Sequence, residues 1–593
     1  MDLDKKMKFE TNYWVKVLER VINVTLTLAE NNVSFRGAHE SLYDGDNNRG
    51  NFLNIIKLLA IYDPVLQELL SKDKNSVKYL SPTIQNEIIE LLATEVKTKL
   101  IGQINESPFF SIIMDTTQDI AKVDQVSFVI RFVHLIKDAD TVNIVHDAED
   151  MVNQLLSFFE KNNLSVEKLR AQGYDGAANM SGIYNGLQAK ILEKQPNALY
   201  VHCTAHNLNL VINDSIKISR ELHNFYDTVE CLYAFFAHSI KRWAMLMETF
   251  ESKKHTMKRL CPTRWSSRYD SLHSMRFHYR EILQVLTKLS LTSSKVTEQS
   301  EALALKKKLE NFETVVIIVM EYKILSITKI VTNALQSKNQ DIERASKLLK
   351  SAKEDISRIR ENFSEIVNEA ADSARSWGIQ PHFKNSRLRR VKKQFDELSS
   401  DERLTNSQEN FRVSVFNLTL DVIISQIENR FKGLNSIVER FKVLFPSVLK
   451  DHSDSDLIQL TENLINFYPN DLSSSFAQEL LSFRHVYKEQ INANISIHDL
   501  AKLVICDPMI SSSFKEVCCA FILYLTIPIS VSSSERSFSI LKLIKNYLRS
   551  KMSQSRLSAV AILSIENETA RTLDLHNVIS LFAHQKARKD DFF

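Results

Sequence analysis

Glycine and proline are scarce in this chain, and their scarcity limits how many turns and irregular loops it can form. The 593 residues include only 10 glycines and 10 prolines, against average usages of about 7% and 5%. Helices joined by short connections are therefore expected over most of the sequence. Apolar residues at helical spacing support this prediction in five segments, namely 12–32, 50–72, 82–102, most of 216–500, and 514–567.

The segment between these helical regions has a different period. The runs "PFFSIIMDTTQD", "QVSFVIRFVHL" and "VNIVHD" are short, rich in β-branched and aromatic residues, and bounded by polar residues. A helix over 148–163, an extended run ending at Tyr174, a helix through "LQAKILEKQ" and a strand in "ALYVHCTAH" follow. Three strands and then alternating helices and strands predict a mixed sheet flanked by helices, in a protein that is mostly helical overall.

Composition excludes several classes of protein. The 75 Lys and Arg residues nearly balance the 72 Asp and Glu residues, so net charge does not identify a polyanionic partner. The six cysteines lack the dense spacing of a secreted disulfide framework. The first residues lack the apolar core of a signal peptide, and no window of about 18 uninterrupted apolar residues occurs. We expect a soluble protein of the cytoplasm or nucleus.

The stretch "GYDGAANMSGIYNG" uses four of the ten glycines within 14 residues, 173–186. Gly173 and Gly176 flank Asp175, where they would permit a tight strand-to-helix turn and the close approach of a ligand to the carboxylate. An alternative is a simple turn in which Asp175 caps the next helix. A second acid, Asp115, is predicted to end a neighbouring apolar strand, and two adjacent carboxylates repel each other unless cations hold them.

Seven motifs carry a resemblance to a known family. In chain order they are "FRGAHE", "NRGNFLNIIKLLAIYDPVL", "MDTTQD", "RAQGYDGAANMSGIYNGLQAKI", "HCTAHNLNL", "CPTRW" and "SSSERSFSILKLIKNYLRSKMSQSRL". Together they resemble the hAT superfamily of DNA transposases, in the branch related to zinc-finger MYM-type proteins. The resemblance implies an α/β fold, an RNase H-like core interrupted by a large all-α insertion.

The resemblance also implies a domain organisation. An N-terminal helical region would occupy 1–105, the first part of the core 106–215, the helical insertion 216–500, and a C-terminal hAT dimerisation region that completes the core 501–585. A homodimer or higher oligomer and DNA are the partners that the family implies, which favours a nuclear location.

The family further implies a DDE active site, in which two aspartates and one glutamate bind Mg²⁺ or Mn²⁺. By motif, these acids are Asp115, Asp175 and Glu535 of "SSSERSFS". Two such ions can activate a water molecule or a DNA 3′-hydroxyl and stabilise the leaving oxygen, and hard cations prefer carboxylate ligands. The alternative for Glu535 is an ordinary first-turn glutamate in a helix capped by the preceding serines.

Other motif residues allow two interpretations each. Cys203 and His206 have the spacing of half a zinc site, but no second ligand pair follows, so they are either buried or support the active site. Trp265, beside Arg264 in "CPTRW", matches a tryptophan that stacks on an extruded base in related transposases, and it could equally be structural.

A run of basic residues in "KNSRLRRVKKQF" could bind DNA phosphates, act as a nuclear-import signal, or form a solvated loop. We favour an exposed loop that contacts DNA. Its cations are Lys384, Arg387, Arg389, Arg390, Lys392 and Lys393.

Two departures from the family bear on activity. Autonomous hAT transposases usually carry an N-terminal zinc finger, whereas the first cysteine here is Cys203, and Lys551 stands where relatives favour threonine. These features predict a fragment, a decaying copy or a domesticated protein. Two functions therefore stay open, namely a metal-dependent DNA transposase and a non-catalytic, dimerising, DNA-associated regulator.

Overall fold

The structure is a computed structural model of the 593-residue chain. It describes the chain except for 13 short segments, to which the descriptions below do not extend. These segments are 1–2, 38–48, 135–141, 148–154, 156–157, 177–185, 251–255, 262–264, 338–340, 385–405, 492–494, 547–548 and 586–593.

Five strands form one mixed sheet. They are β1 Phe110–Gln118, β2 Asp124–Val133, β3 Val142–Asp147, β4 Leu169–Tyr174 and β5 Leu199–His202. Their order across the sheet is β3-β2-β1-β4-β5. The first three strands are antiparallel neighbours, whereas β4 runs parallel to β1. The predicted mixed sheet is thus confirmed.

The other described elements are helices. In the first part of the chain they are α1 Leu3–Glu30, α2 Asn51–Ala60, α3 Pro64–Ser71, α4 Pro82–Glu106, α5 Leu187–Lys194, α6 Thr204–Ile218, α7 Arg220–Ala237, α8 Ile240–Thr249, α9 Trp265–Phe277, α10 Tyr279–Thr292, α11 Val296–Leu309, α12 Phe312–Leu335, α13 Ile342–Glu361, α14 Phe363–Trp377 and α15 Ser407–Phe411. After a π-helical turn at Arg412–Asn417 they are α16 Leu418–Arg430, α17 Lys432–Phe441, α18 Pro446–Asp451, α19 Asp454–Phe467, α20 Ser475–Val486, α21 Ile497–Cys506, α22 Pro508–Ser513, α23 Lys515–Thr526, α24 Ser532–Ile544, α25 Gln554–Ile565, α26 Asn567–Arg571 and α27 Leu575–His584.

The mostly helical character predicted from the scarcity of glycine and proline is confirmed. All described secondary-structure elements between 216 and 500 are helices, and the five strands lie between 110 and 202. The predicted end of the first strand was wrong. Asp115 does not end β1, because β1 continues to Gln118 through antiparallel pairing with β2, in which Gln118 faces Asp124. Local sequence does not reveal this extension, since it depends on the partner strand.

The chain divides into two units, 1–201 with 441–593, and 202–440. In the first unit, helices from both ends of the chain share one core with the sheet, and α25 packs against α1 and α4. Its fully buried side chains include Leu18, Leu92, Phe110, Phe132, Leu563 and Phe582. The assignment of this unit as RNase H-like stays a prediction, and so do the bounds of the four predicted domains.

Two side chains of the sheet bind the C-terminal end of α23. Ser111 donates a hydrogen bond of 2.7 Å to the Thr526 carbonyl, and Arg131 Nε donates one of 2.8 Å to the Leu525 carbonyl. Ser111 and Arg131 face each other across β1 and β2. The last carbonyls of a helix lack partners within the helix, so these bonds satisfy them and fix α23 to the sheet.

Two buried ion pairs attach further C-terminal segments to the sheet region. Arg170 on β4 makes two hydrogen bonds of 2.6 Å to Asp471, and both side chains are almost completely buried. Lys545, just after α24, lies 2.5 Å from Asp119 in the turn after β1. Paired charges can be buried at acceptable cost, whereas a single one of them could not.

The described elements of the second unit are helices, apart from the end of β5. Its longest helix, α12, packs against α9, α13 and α14 and carries buried side chains over most of its length. One of them is Glu321, which accepts a 2.6 Å hydrogen bond from the hydroxyl of Tyr226 on α7. Burial raises the pKa of Glu321 to about 7.

Among the described helices of both units, none combines the length and the apolar character needed to cross a membrane.

Candidate active site

Asp115 and Asp175 occupy equivalent positions on two parallel strands. The last pair in the register of β1 and β4 is Met114 with Tyr174, both fully buried. Asp115 and Asp175 are the next residues on these strands and are only partly buried. The sheet therefore places two carboxylates side by side, where its apolar interior gives way to solvent.

The environment of Asp115 favours its protonated form. Burial raises the pKa of this carboxyl to about 7, and the neighbouring Asp175 and, to a smaller extent, Glu535 add to the rise. A 2.8 Å hydrogen bond from the Thr116 amide to Asp115 Oδ1 acts in the opposite direction. An acid with such a pKa is partly protonated at neutral pH, and a bound cation would favour its ionised form.

Glu535 lies in the first turn of α24, and its side chain is exposed. The helix begins at Ser532, its N-cap residue Val531 forms no capping hydrogen bond, and the Ser532 amide donates a weak hydrogen bond of 3.5 Å to the Ser530 hydroxyl. The alternative in which Ser532 to Ser534 cap the helix was therefore wrong, because these serines lie within its first turn. The negative charge of Glu535 remains favourable at the positive end of the helix dipole.

A buried hydrogen bond connects α24 to the strand beside Asp115. The Ser127 and Ser537 hydroxyls are 2.8 Å apart. Ser127 on β2 faces Asp115 in the antiparallel register, and Ser537 lies two residues after Glu535. The contact explains how a glutamate from the C-terminal part of the chain comes to influence the pKa of Asp115.

Gly173 permits the close approach of the chain that precedes α24. It lies within β4 without a positive φ, and a Cβ atom there would be only 3.1 Å from Cγ of Pro528. The expectation of a tight turn at this glycine was therefore wrong. A side chain at 173 would push away Pro528 and, with it, the segment that leads to Glu535.

The residues present fit a divalent cation in their chemistry. Carboxylate oxygens are the ligands that Mg²⁺ and Mn²⁺ prefer, and the mutual repulsion of Asp115, Asp175 and Glu535 would be relieved by a cation. In the described part of the chain, however, no three His, Cys, Asp or Glu side chains are grouped so that they could hold a metal ion as they stand. Movement of at least one side chain is needed to complete such a site.

Cys203 and His206 lie in the second unit. Cys203 is buried at the N-cap of α6, and its sulfur accepts a weak hydrogen bond of 3.5 Å from the His206 amide. The ring of His206 stacks on that of His202, with their centroids 6.0 Å apart. Burial, together with His206 and Arg430, lowers the pKa of His202 to about 4. This arrangement favours a structural role over a zinc site.

Most of the predicted DNA-contacting residues lie outside the described part of the chain. This applies to Arg264, Arg387, Arg389, Arg390, Lys392 and Lys393. Trp265 is the first residue of α9, but its side chain is also outside the description. Lys384 is described, and it is exposed. The roles assigned to these residues stay predictions.

Sequence reasoning missed the residues that attach the C-terminal segments to the sheet. Ser127, Ser537 and Lys545 resemble ordinary residues of strands and helices, because their partners are several hundred residues away in the chain. One signal was present in "MDTTQD", whose second aspartate, Asp119, follows β1 and has an almost completely buried side chain. Its hydrogen bonds with Lys545 and with the turn backbone lower its pKa, so it is a structural acid.

Comparisons with known proteins identify two regions. Residues 2–186 match the model of the ZMYM1/FAM200 RNase-like domain, and residues 509–569 match that of the hAT family C-terminal dimerisation region. The proteins named 52 kDa repressor of the inhibitor of the protein kinase are similar over most of the chain. The mouse protein is 22% identical over 541 residues, and the human protein 21% over 547, covering 86% of this chain and 69% of each relative.

The first of these regions contains the first three of the seven sequence motifs, and the second contains the last one. Both matches confirm the resemblance of the chain to hAT transposase-related proteins: a region similar to the ZMYM1/FAM200 RNase-like domain lies in its first third, and a region similar to the hAT C-terminal dimerisation region lies near its end.

Proposed function

We propose that this chain is a transposase-derived, DNA-binding protein whose RNase H-like core carries a DDE-type site for metal-dependent cleavage and transfer of DNA strands. The residues of this site are Asp115, Asp175 and Glu535. One observation carries the proposal, namely that the parallel register of β1 and β4 brings Asp115 next to Asp175; burial and then Asp175 and Glu535 raise the pKa of Asp115. Three acids from three distant parts of the sequence thus influence one another at the end of the parallel strands.

Mg²⁺ or Mn²⁺, when bound, would supply a Lewis acid and an activated water or 3′-hydroxyl nucleophile. The Thr116 amide holds one oxygen of Asp115 and leaves the other available. Because burial and its acidic neighbours keep Asp115 partly protonated near pH 7, binding of a cation displaces this proton. Glu535 is exposed, so a change of rotamer can bring its carboxylate toward the two aspartates.

DNA binding belongs to the same proposal. The basic run from Lys384 to Lys393 is assigned to phosphate contacts, and Arg264 with Trp265 to contacts near the cleaved strand. Neutralising Arg389 and Arg390 should weaken binding to unrelated DNA sequences equally and reduce the salt dependence by about one unit per lost contact. A nuclear location follows from this assignment, and an unchanged salt slope would contradict the phosphate contacts.

A second candidate function is a dimerising, DNA-associated regulator without catalysis. The name of the two relatives describes them as repressors of an inhibitor of a protein kinase, not as transposases. The match to the hAT dimerisation region supports homodimerisation in both candidate functions. The regulator needs no assembled metal site, in accordance with the separation of the three acids in the described residues.

DNA cleavage in the presence of Mg²⁺ or Mn²⁺ distinguishes the two candidates. The purified chain is incubated with DNA that contains the terminal repeats flanking its own gene, and nicks and strand transfer are mapped. Glu535→Gln preserves the size of the side chain but removes the charge that holds a cation, so cleavage should fall at least 100-fold. Glu301→Gln, an exposed glutamate on α11, is the matched control and should retain full activity.

Cleavage that is lost in Glu535→Gln while DNA binding and dimerisation persist supports the DDE site. No cleavage by the unmodified chain, even after fusion of a zinc finger that binds the repeats, supports the regulator. Equal cleavage by the unmodified chain and Glu535→Gln would contradict the assignment of Glu535.

A further inference from the structure

The hydrogen bond between Ser127 and Ser537 joins β2 to α24, the helix that carries Glu535. The two side chains are 5% and 7% exposed, and their oxygens are 2.8 Å apart. Ser537 donates its own hydroxyl proton to the Ser534 carbonyl at 2.7 Å. Because a hydroxyl carries one proton, Ser127 must be the donor in the bond between the two serines.

Through the strand register, the bond between the two serines connects the elements that carry the candidate ligands Asp115 and Glu535. Ser127 is the cross-strand partner of Asp115. Ser537 and Glu535 are separated by one residue in the first turns of α24. A change in the distance between the two serines would therefore shift the start of α24 relative to the strand that carries Asp115.

Other contacts hold the same part of the chain on the sheet. Arg131 binds the Leu525 carbonyl before α24, and Asp119 pairs with Lys545 directly after it. These anchors remain when a serine hydroxyl is removed. The bond between the serines is thus placed to adjust the position of α24, whereas the flanking anchors keep the helix attached.

We propose that Ser127 and Ser537 are positioning residues, whose hydrogen bond sets the distance of Glu535 from Asp115 and so the affinity of the site for a divalent cation. This inference rests on the proposed function, because it requires Glu535 to be a ligand. Neither serine contacts the cation, so both act only through the placement of α24.

Binding of Mn²⁺ to the full chain, measured by electron paramagnetic resonance, tests the proposal without any need for catalysis. Ser127→Ala and Ser537→Ala should each weaken Mn²⁺ binding about threefold to tenfold, the usual effect of one hydrogen bond. The double variant should bind Mn²⁺ no more weakly than Ser537→Ala, because Ser537→Ala already removes the bond between the two serines. Ser539→Ala is the control, because the Ser539 hydroxyl bonds only to the Glu535 carbonyl of its own helix among the described contacts.

Conservative variants separate positioning from folding. Ser537→Thr keeps the hydroxyl, and a cavity of about 40 Å³ lined by Ser127, Ser537 and Leu541 can receive the added methyl group. Mn²⁺ affinity should therefore return to within about twofold of that of the unmodified chain. If an alanine variant fails to fold, the threonine variants Ser127→Thr and Ser537→Thr are compared with Ser127→Val instead. Valine has the shape of threonine but lacks the hydroxyl.

The outcomes separate this inference from the proposed function. If Glu535→Gln weakens Mn²⁺ binding but both alanine variants bind normally, the positioning role is wrong and the site stands. If Asp115→Asn weakens binding but Glu535→Gln does not, Glu535 is no ligand, and both the positioning role and the DDE assignment are wrong. Weaker binding by Ser539→Ala to the same extent as Ser537→Ala would also contradict the positioning role.

Discussion

Met114 and Tyr174 are the last paired residues of the two parallel strands, and an aspartate follows each of them. The ladder thus determines the spacing of Asp115 and Asp175 before any ligand is present. The backbone of both acids is held in place by the buried pair that precedes them. Burial of Asp115 and, after it, the repulsion from Asp175 raise the pKa of Asp115.

Stability should depend on the pH through Asp115. Its pKa is about 7 in the folded chain against an ordinary value of 3.8, so the folded state binds the proton more tightly than the unfolded state does. The free energy of unfolding should therefore fall by about 2 to 3 kcal/mol between pH 5 and pH 8 through this group. Asp115→Asn should remove that loss and be more stable than the unmodified chain at pH 8.

Urea unfolding of both chains at pH 5 and pH 8 measures this difference. Asp124→Asn is the control, because Asp124 is exposed at the start of β2 and its replacement should leave the pH dependence unchanged. Equal loss of stability in the unmodified chain and in Asp115→Asn would show that Asp115 is not the group that takes up the proton.

Substitution of Gly173 should disturb the packing between β4 and the segment before α24. A Cβ atom 3.1 Å from the Pro528 ring requires a shift of a few tenths of an ångström, so Gly173→Ala should cost about 1 kcal/mol, and Gly173→Val about 2 to 3 kcal/mol. Thermal unfolding checks both values.

Gly102 provides the matched comparison. It lies within α4, and a Cβ atom there would meet nothing within 4 Å. Gly102→Ala should therefore stabilise the chain by about 0.5 to 1 kcal/mol, because alanine favours the helix. If both variants changed stability equally and in the same direction, the contact with Pro528 would not be the reason for glycine at 173.

Elements defined by local patterns could be predicted from the sequence. The helices follow from the apolar period and the scarcity of glycine and proline, and the strands from short runs of β-branched residues. Strand ends were less predictable. β1 continues past Asp115 because β2 pairs with it, and the pattern of β1 alone does not contain that information.

The candidate site was predictable only in part. Asp115 and Asp175 each follow an apolar run with strand character, so their proximity could be argued from the residues themselves. The role of Glu535 came from the family resemblance, because no local pattern relates it to strands so distant in the sequence. The hydrogen bond between Ser127 and Ser537 could not be anticipated, since serine is common in both strands and first turns of helices.

The ion pair of Arg170 and Asp471 should be essential for the stability of the first unit. Asp471→Ala would leave the guanidinium of Arg170 buried against the Phe109 ring without its counter-charge. We expect a loss of about 3 kcal/mol in the free energy of unfolding, measured by urea titration.

The exposed pair Arg375 and Asp372 on α14 is the control, and Asp372→Ala should change stability by less than about 0.5 kcal/mol. A similar small effect of both variants would contradict a structural role for the buried pair.

Two adjacent residues at the end of α24 can distinguish a dimer surface from the core. Ile544 is completely buried, whereas Leu543 is 57% exposed. Both lie in the region that matches the hAT dimerisation model. Leu543→Asp should therefore yield folded monomers, because a charge at the centre of an apolar interface removes its main contribution. Ile544→Asp should unfold the chain, because it buries an unpaired charge.

Light scattering gives the mass of each variant, and circular dichroism gives its helix content. A Leu543→Asp dimer as stable as the unmodified one would place the partner surface elsewhere.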